Sequence, residues 1–190
     1  LCTTADGTAV VITELMRDPP GRESELGGGR SHEYVEFVNA GAESLSLDGL
    51  YLADRGDADS LILFRSAQRW HPRCSTTVRA VPPGGVALIL DPDYDTAVAA
   101  ALAPPYDISD GTVLLTVPDS HLGDAAGLSG EEGVFLYRGT RDEIDSVVAA
   151  AADSGMPIPP VGDSLYLLEA GQQEGCSVVL DSWLLGGPRY

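Results

Sequence analysis

Short runs of Val, Ile, Leu, Tyr and Phe recur along the chain, separated by clusters of Gly, Pro, Asp and Ser. Most are four to seven residues long, the length of strands, and their spacing of roughly ten residues is that of an all-β sandwich or barrel. The pattern predicts strands over 9–15, 34–39, 47–53, 61–64, 86–90, 112–117, 134–137, 144–148, 165–168 and 177–180. Around Tyr34, Val35, Phe37 and Val38 the aromatic and β-branched content argues for a strand although the alternation is not strictly period two. From Leu45 to Leu52 apolar and polar positions alternate more cleanly, and Gly49 inside that run points to a bulge or a close backbone approach. Two alanine-rich stretches, 96–102 and 149–152, favour helix, but each is under three turns and abuts Pro or Gly, so neither is expected to be a major element. Turn chemistry fits the same class: Asn39-Ala40-Gly41 and Pro83-Gly84-Gly85 can supply positive backbone dihedrals. The stretch 18–30, with two Pro and four Gly, reads as an exposed loop, and 154–162 as an extended Pro-rich segment. The inward-facing set is expected to include Val11, Val35, Phe37, Leu50, Leu52, Leu88, Leu136, Val147 and Trp183.

At 190 residues and 44% hydrophobic, the chain can bury one sizeable core and is short for two, so a single domain over 1–190 is expected. Eleven Lys+Arg against 29 Asp+Glu give a formal charge of −18, spread along the whole length. Phosphate binding needs clustered Lys and Arg, so this balance argues against nucleic acid and against an anionic membrane surface. It suits cations, cationic partners or solubility. With no apolar run of 18 residues and no basic-then-apolar leader, neither a membrane span nor a signal peptide is expected, and the chain reads as a mature or trimmed piece. Cys2, Cys74 and Cys176 form no C-x-x-C pair, which removes zinc knuckles and thioredoxin-like chemistry. One disulfide with an odd thiol, in any of three pairings, and three buried thiols both remain open. Cys2 as a lipid-modified anchor of the precursor is a further option, which Leu1 directly before it fits poorly.

The strands and turns resemble the lamin-tail domain family. Val10-Val11-Ile12-Thr13-Glu14-Leu15-Met16-Arg17-Asp18-Pro19 is similar to its opening strand, and His32-Glu33-Tyr34-Val35-Glu36-Phe37-Val38-Asn39-Ala40-Gly41 to its strand and turn of acid, aromatic, acid, then N-x-G. Leu47-Asp48-Gly49-Leu50-Tyr51-Leu52-Ala53-Asp54 matches the next strand, with Leu50 where the family usually has Trp. Pro82-Pro83-Gly84-Gly85 with Val86 to Leu90 looks like its P-G turn and strand. Gly127-Leu128-Ser129, Gly133 to Tyr137, Gly139 and Ile144-Asp145-Ser146-Val147 resemble its later hairpin; Gly162-Asp163-Ser164-Leu165 and Ser182-Trp183 echo its ending. The closing Pro-Gly-x-Asn of many bacterial members is reduced to Gly186-Gly187-Pro188-Arg189, and 65–77 and 91–110 look like insertions. The resemblance implies an immunoglobulin-like β-sandwich with one or two short helices, spanning about 9–185. It also implies a non-catalytic interaction or structural module of an exported bacterial protein, secreted or at the cell surface, whose loops or sheet edge engage a protein or cell-surface partner. The family pattern further brings Glu14, Glu33 and Glu36 onto neighbouring strands at one end, where they are expected to accept bonds from loop amides.

Candidate chemistry is sparse. His32-Glu33-x-x-Glu36 looks superficially like a zincin motif, but that motif needs a helix to put its residues on one face, and this segment is strand-like with no second histidine. His32, His71 and His121 have no metal-ligand partner at useful spacing. No G-x-S-x-G elbow occurs, and Gly27-Gly28-Gly29 lacks the Lys-Ser/Thr of a phosphate loop, so no catalytic or cofactor-binding residue is assigned. Asp91, Asp93 and Asp95 alternate as in a calcium loop, but Thr96 and Leu102 stand where an EF-hand needs Gly and a bidentate acid. An irregular calcium site drawing on those residues, or on Asp54, Asp57 and Asp59, is the alternative to a solvated acidic turn, and would make the chain a calcium-dependent adhesion or carbohydrate-binding module. A hydrolase with Ser, His and acid meeting on loops is a third reading; it requires a histidine against a serine or a metal. Arg55-Gly56-Asp57 spells the tripeptide integrins read, and three-residue matches arise by chance.

Overall fold

The computed structural model describes residues 10–16, 33–54, 57–66, 73–95, 108–123, 127–128 and 134–154, with backbone only at 95, 147 and 150–154. Among the described residues, strands and one α-helix follow in the order β1 (Val10–Met16), β2 (Tyr34–Asn39), β3 (Leu45–Ser46), β4 (Leu50–Ala53), β5 (Ala58–Ser60), β6 (Ile62–Leu63), β7 (Ala80–Val81), β8 (Val86–Leu90), β9 (Val113–Thr116), β10 (Phe135–Arg138) and α1 (Arg141–Ser154). The fold is therefore β-rich, with one short helix. The strands form a five-stranded sheet β1-β2-β8-β9-β6, a three-stranded sheet β10-β4-β5 and the pair β3-β7. Neighbours run antiparallel except β8 and β9, which are parallel and make the large sheet mixed. A parallel pair needs a crossover, and 91–112 supplies it.

Period-two alternation explains three separate apolar clusters. Val35, Phe37, Ala87, Ile89, Val113 and Leu115 leave one face of the large sheet and meet Leu50, Leu52 and Leu136 of the small one in the main cluster. Tyr34, Leu88, Leu90 and Leu114, at the alternate positions, point the other way and are covered by Phe64, Cys74 and Tyr94, with Ile108 against them. Phe64, Cys74, Tyr94 and Ile108 thus cover the outer face of the large sheet, which explains why its strands carry apolar residues at consecutive positions. On the small sheet, Ala53, Ala58, Phe135 and Tyr137 face away from the main cluster and pack with Ile144 of α1.

Several expectations need correction. Val11 is only half-buried; Val10 and Ile12 on either side of it are the core residues, because the register of β1 turns Val11 outward. Residues 144–148 are helix where a strand is expected, and α1 runs 14 residues where only a minor helix is expected around 149–152. The cause is local: Thr140 Oγ1 accepts from the Glu143 amide at 3.4 Å while Glu143 Oε2 accepts from the Thr140 amide at 2.8 Å. This is a capping box, T-x-x-E, reinforced by Asp142 in the first turn and by Arg141 Nε bonded to Asp145 at 2.7 Å. Residues 45–53 split into two strands at the Asp48-Gly49 turn, where the Gly139 amide donates to the Gly49 carbonyl at 2.9 Å. Gly41 keeps ordinary dihedrals. Asn39 shapes that turn instead: it is 0% exposed, its carboxamide nitrogen donates to the carbonyls of Glu43 and Val81, both at 2.8 Å, and its Oδ1 accepts from the Gly41 amide at 3.0 Å. The expected strands at 165–168 and 177–180, the helix at 96–102, the side chain of Val147, and Trp183 lie outside the described residues.

Candidate functional site

One end of the molecule collects the strand termini whose side chains are acids. Glu33 precedes β2 and Asp91 follows β8; the pairing of Tyr34 with Leu90 sets them side by side, and the Asp91 amide donates to the Glu33 carbonyl at 3.1 Å. Asp54 follows β4 and Asp59 lies in β5, across the tight connection that pairs Ala53 with Ala58. The parallel β8–β9 pairing delivers the segment after β9 to the same end, where the Thr116 hydroxyl donates to the Leu90 carbonyl at 2.8 Å.

Buried carboxylates there hold this following segment by its backbone. Glu33, Asp54, Asp59 and Asp91 are 3%, 1%, 4% and 0% exposed. The Leu122 amide donates to Asp91 Oδ2 at 3.4 Å, the Gly123 amide to Asp59 Oδ2 at 3.0 Å, and the Leu128 amide to Glu33 Oε2 at 2.7 Å. Asp54 Oδ1 accepts from the Asp57 amide at 2.8 Å, and Asp91 Oδ1 from the Asp93 amide at 2.8 Å. Backbone donors drawn into an apolar end need acceptors, and carboxyl oxygens supply them here. Between these bonds Leu122 and Leu128 insert into the main cluster. Gly123 and Gly127 have φ of 74° and 88°. A side chain at Gly123 would overlap the Asp54 carboxylate, and one at Gly127 would come within 2.8 Å of both Glu33 oxygens. Glycine at both positions lets a carboxylate lie flat against the backbone.

The electrostatics of this end are unusual. Burial, then a hydrogen bond with Asp119 and repulsion from Asp119 and Asp57, push Asp59 up to about 8 against the partial relief of the Gly123 amide. Burial likewise pushes Asp91 up to about 7, opposed by the Asp93 and Leu122 amides. Near neutral pH Asp59 therefore holds its proton and can donate it in its hydrogen bond with Asp119. Asp57, Asp59 and Asp119 bring ligand oxygens within 4.8 Å of one another. Arg141, the first residue of α1, approaches from the side: its Nη2 is 3.8 Å from Asp57 Oδ1 and its Nη1 donates to the Ala58 carbonyl at 2.6 Å. A convergent set of hard oxygen donors can hold a proton or a divalent cation such as calcium.

Of the six aspartates singled out from sequence, Asp57 and Asp59 come together, completed by Asp119, which sequence reasoning missed. Its one signal was position: it lies just beyond an apolar strand, β9, whose antiparallel pairing with β6 carries it to Asp59. Asp54 and Asp91 are occupied by backbone amides, and among the described residues neither Asp91 nor Asp93 belongs to a three-ligand group. The side chain of Asp95 lies outside the described residues. Glu14, Glu33 and Glu36 do not share one task. Glu14 and Glu36 are cross-strand partners that accept from the Tyr34 and Thr13 hydroxyls at 2.7 and 2.6 Å. Glu33 takes a loop amide, that of Leu128. No protein-family model, curated protein or solved structure matches this chain. His121, beside Asp119 in the same segment, is 8% exposed. His32, His71, Arg55 and Gly56 lie outside the described residues, as do Cys2 and Cys176. Cys74 is buried and, among the described residues, a free thiol. Among the described residues no helix is long and apolar enough to cross a membrane.

Proposed function

We propose that the chain is a non-catalytic interaction module, an immunoglobulin-like β-sandwich of the lamin-tail type carried by an exported bacterial protein. The observation that carries this reading is the use made of the buried acids. Glu33, Asp54, Asp59 and Asp91 each accept from a backbone amide, so these buried acids hold loops in place. The motifs behind the resemblance acquire matching roles: Glu33 of the Glu-Tyr-Val-Glu strand anchors Leu128 of the Gly-Leu-Ser string, and Asn39 saturates the turn that follows that strand. The helix over Ile144 is a departure from the family's hairpin. The test is binding of the labelled, purified chain to washed bacterial cells and to arrayed surface proteins. Saturable binding that Asp119→Asn weakens without lowering Tm supports the module. Turnover of ester, amide or glycoside substrates that His121→Ala abolishes would replace it with the hydrolase.

A second reading, a calcium-dependent adhesion or carbohydrate-binding module, is favoured by the convergence of Asp57, Asp59 and Asp119. A ligand that binds only the folded chain raises its Tm by mass action. On this reading excess calcium raises Tm over a chelator control, and Asp119→Asn removes the rise. A Tm that calcium leaves unmoved ends it.

A further inference from the structure

We draw no further inference here: the strongest candidate, the Asp57–Asp59–Asp119 carboxylate cluster where β5 meets the segment after β9, belongs to the site already described, and among the described residues no buried, unpartnered side chain points into it to identify a ligand.

Discussion

Replacing Asp59 with Asn should make the protein more stable at alkaline pH, a reversal of the usual penalty for altering a buried polar residue. Asp59 is 4% exposed and is pushed up to about 8 by burial and by Asp119, against an ordinary value of 3.8. The folded chain thus holds a proton that the unfolded chain has released, across the window from about 4 to about 8. The stabilisation is complete below that window and is lost as pH rises through it. Each pH unit inside the window removes at most about 1.4 kcal/mol, and solvent relaxation reduces the total to roughly 2–4 kcal/mol. Asp91, pushed up to about 7, acts in the same direction. Asparagine keeps an oxygen for the Gly123 amide and offers its nitrogen to Asp119 while carrying no charge. Asp59→Asn should therefore match the parent at pH 5 and exceed it by about 2 kcal/mol at pH 9, some 4–8 °C in Tm for a chain of this size. The assay is urea unfolding at fixed ionic strength at pH 5, 7 and 9. A parent whose stability climbs steadily from pH 5 to 9, or a variant with an unchanged pH slope, would refute the reasoning.

Asn39→Ala removes three hydrogen bonds and strands the buried Val81 carbonyl, so a loss of about 3 kcal/mol is expected in denaturant melts; a loss below about 1 kcal/mol contradicts the role given to it. Gly127→Ala strains a left-handed position and crowds Glu33, for a loss of about 2–4 kcal/mol. Combining it with Glu33→Ala should cost less than the sum of the two, and strict additivity would show that the contact is absent. In a Cys2→Ser, Cys176→Ser chain, Cys74 should react with a thiol reagent only after denaturation, because burial and then Asp110 raise its thiol; fast labelling of the native chain is the contrary result. Thr140→Ala should lower the helical signal and destabilise by about 1 kcal/mol through loss of the cap, and an unchanged far-ultraviolet spectrum and Tm would remove the cap from the account.

The strands β2 and β8 were legible to the residue, because each is bounded by turn chemistry and is rich in β-branched and aromatic side chains. Strands of two or three residues, β3, β5 and β7, were not, since a period cannot show in so few positions. The helix is hidden in the local pattern because Ile144, Val147 and Val148 look like a strand when weighed apart from the capping box at Thr140 and the alanines that follow. Three apolar residues in a row, Val10, Val11 and Ile12, do not declare which faces inward; only pairing with β2 decides it. The site was half legible. Asp57 and Asp59 stood out as closely spaced acids, but Asp119 lies far along the chain and reaches them through the antiparallel β6–β9 pairing, whose register of Ile62 with Thr116 runs on to Asp59 and Asp119, a long-range choice that local pattern does not encode. The burial of Glu33 and Asp91 was equally hidden, because a charged residue beside a Pro or a strand start normally faces water, and here the amides that hold it come from residues 122 and 128.

Amide hydrogen exchange at Leu122, Gly123 and Leu128, followed by nuclear magnetic resonance in the parent and in Glu33→Gln, measures the anchoring most directly. If buried carboxylates grip this segment by its backbone, all three amides exchange far more slowly than an open loop, and weakening the acceptor at Glu33 accelerates Leu128 ahead of Gly123. Exchange of all three at open-loop rates in the parent would contradict the account.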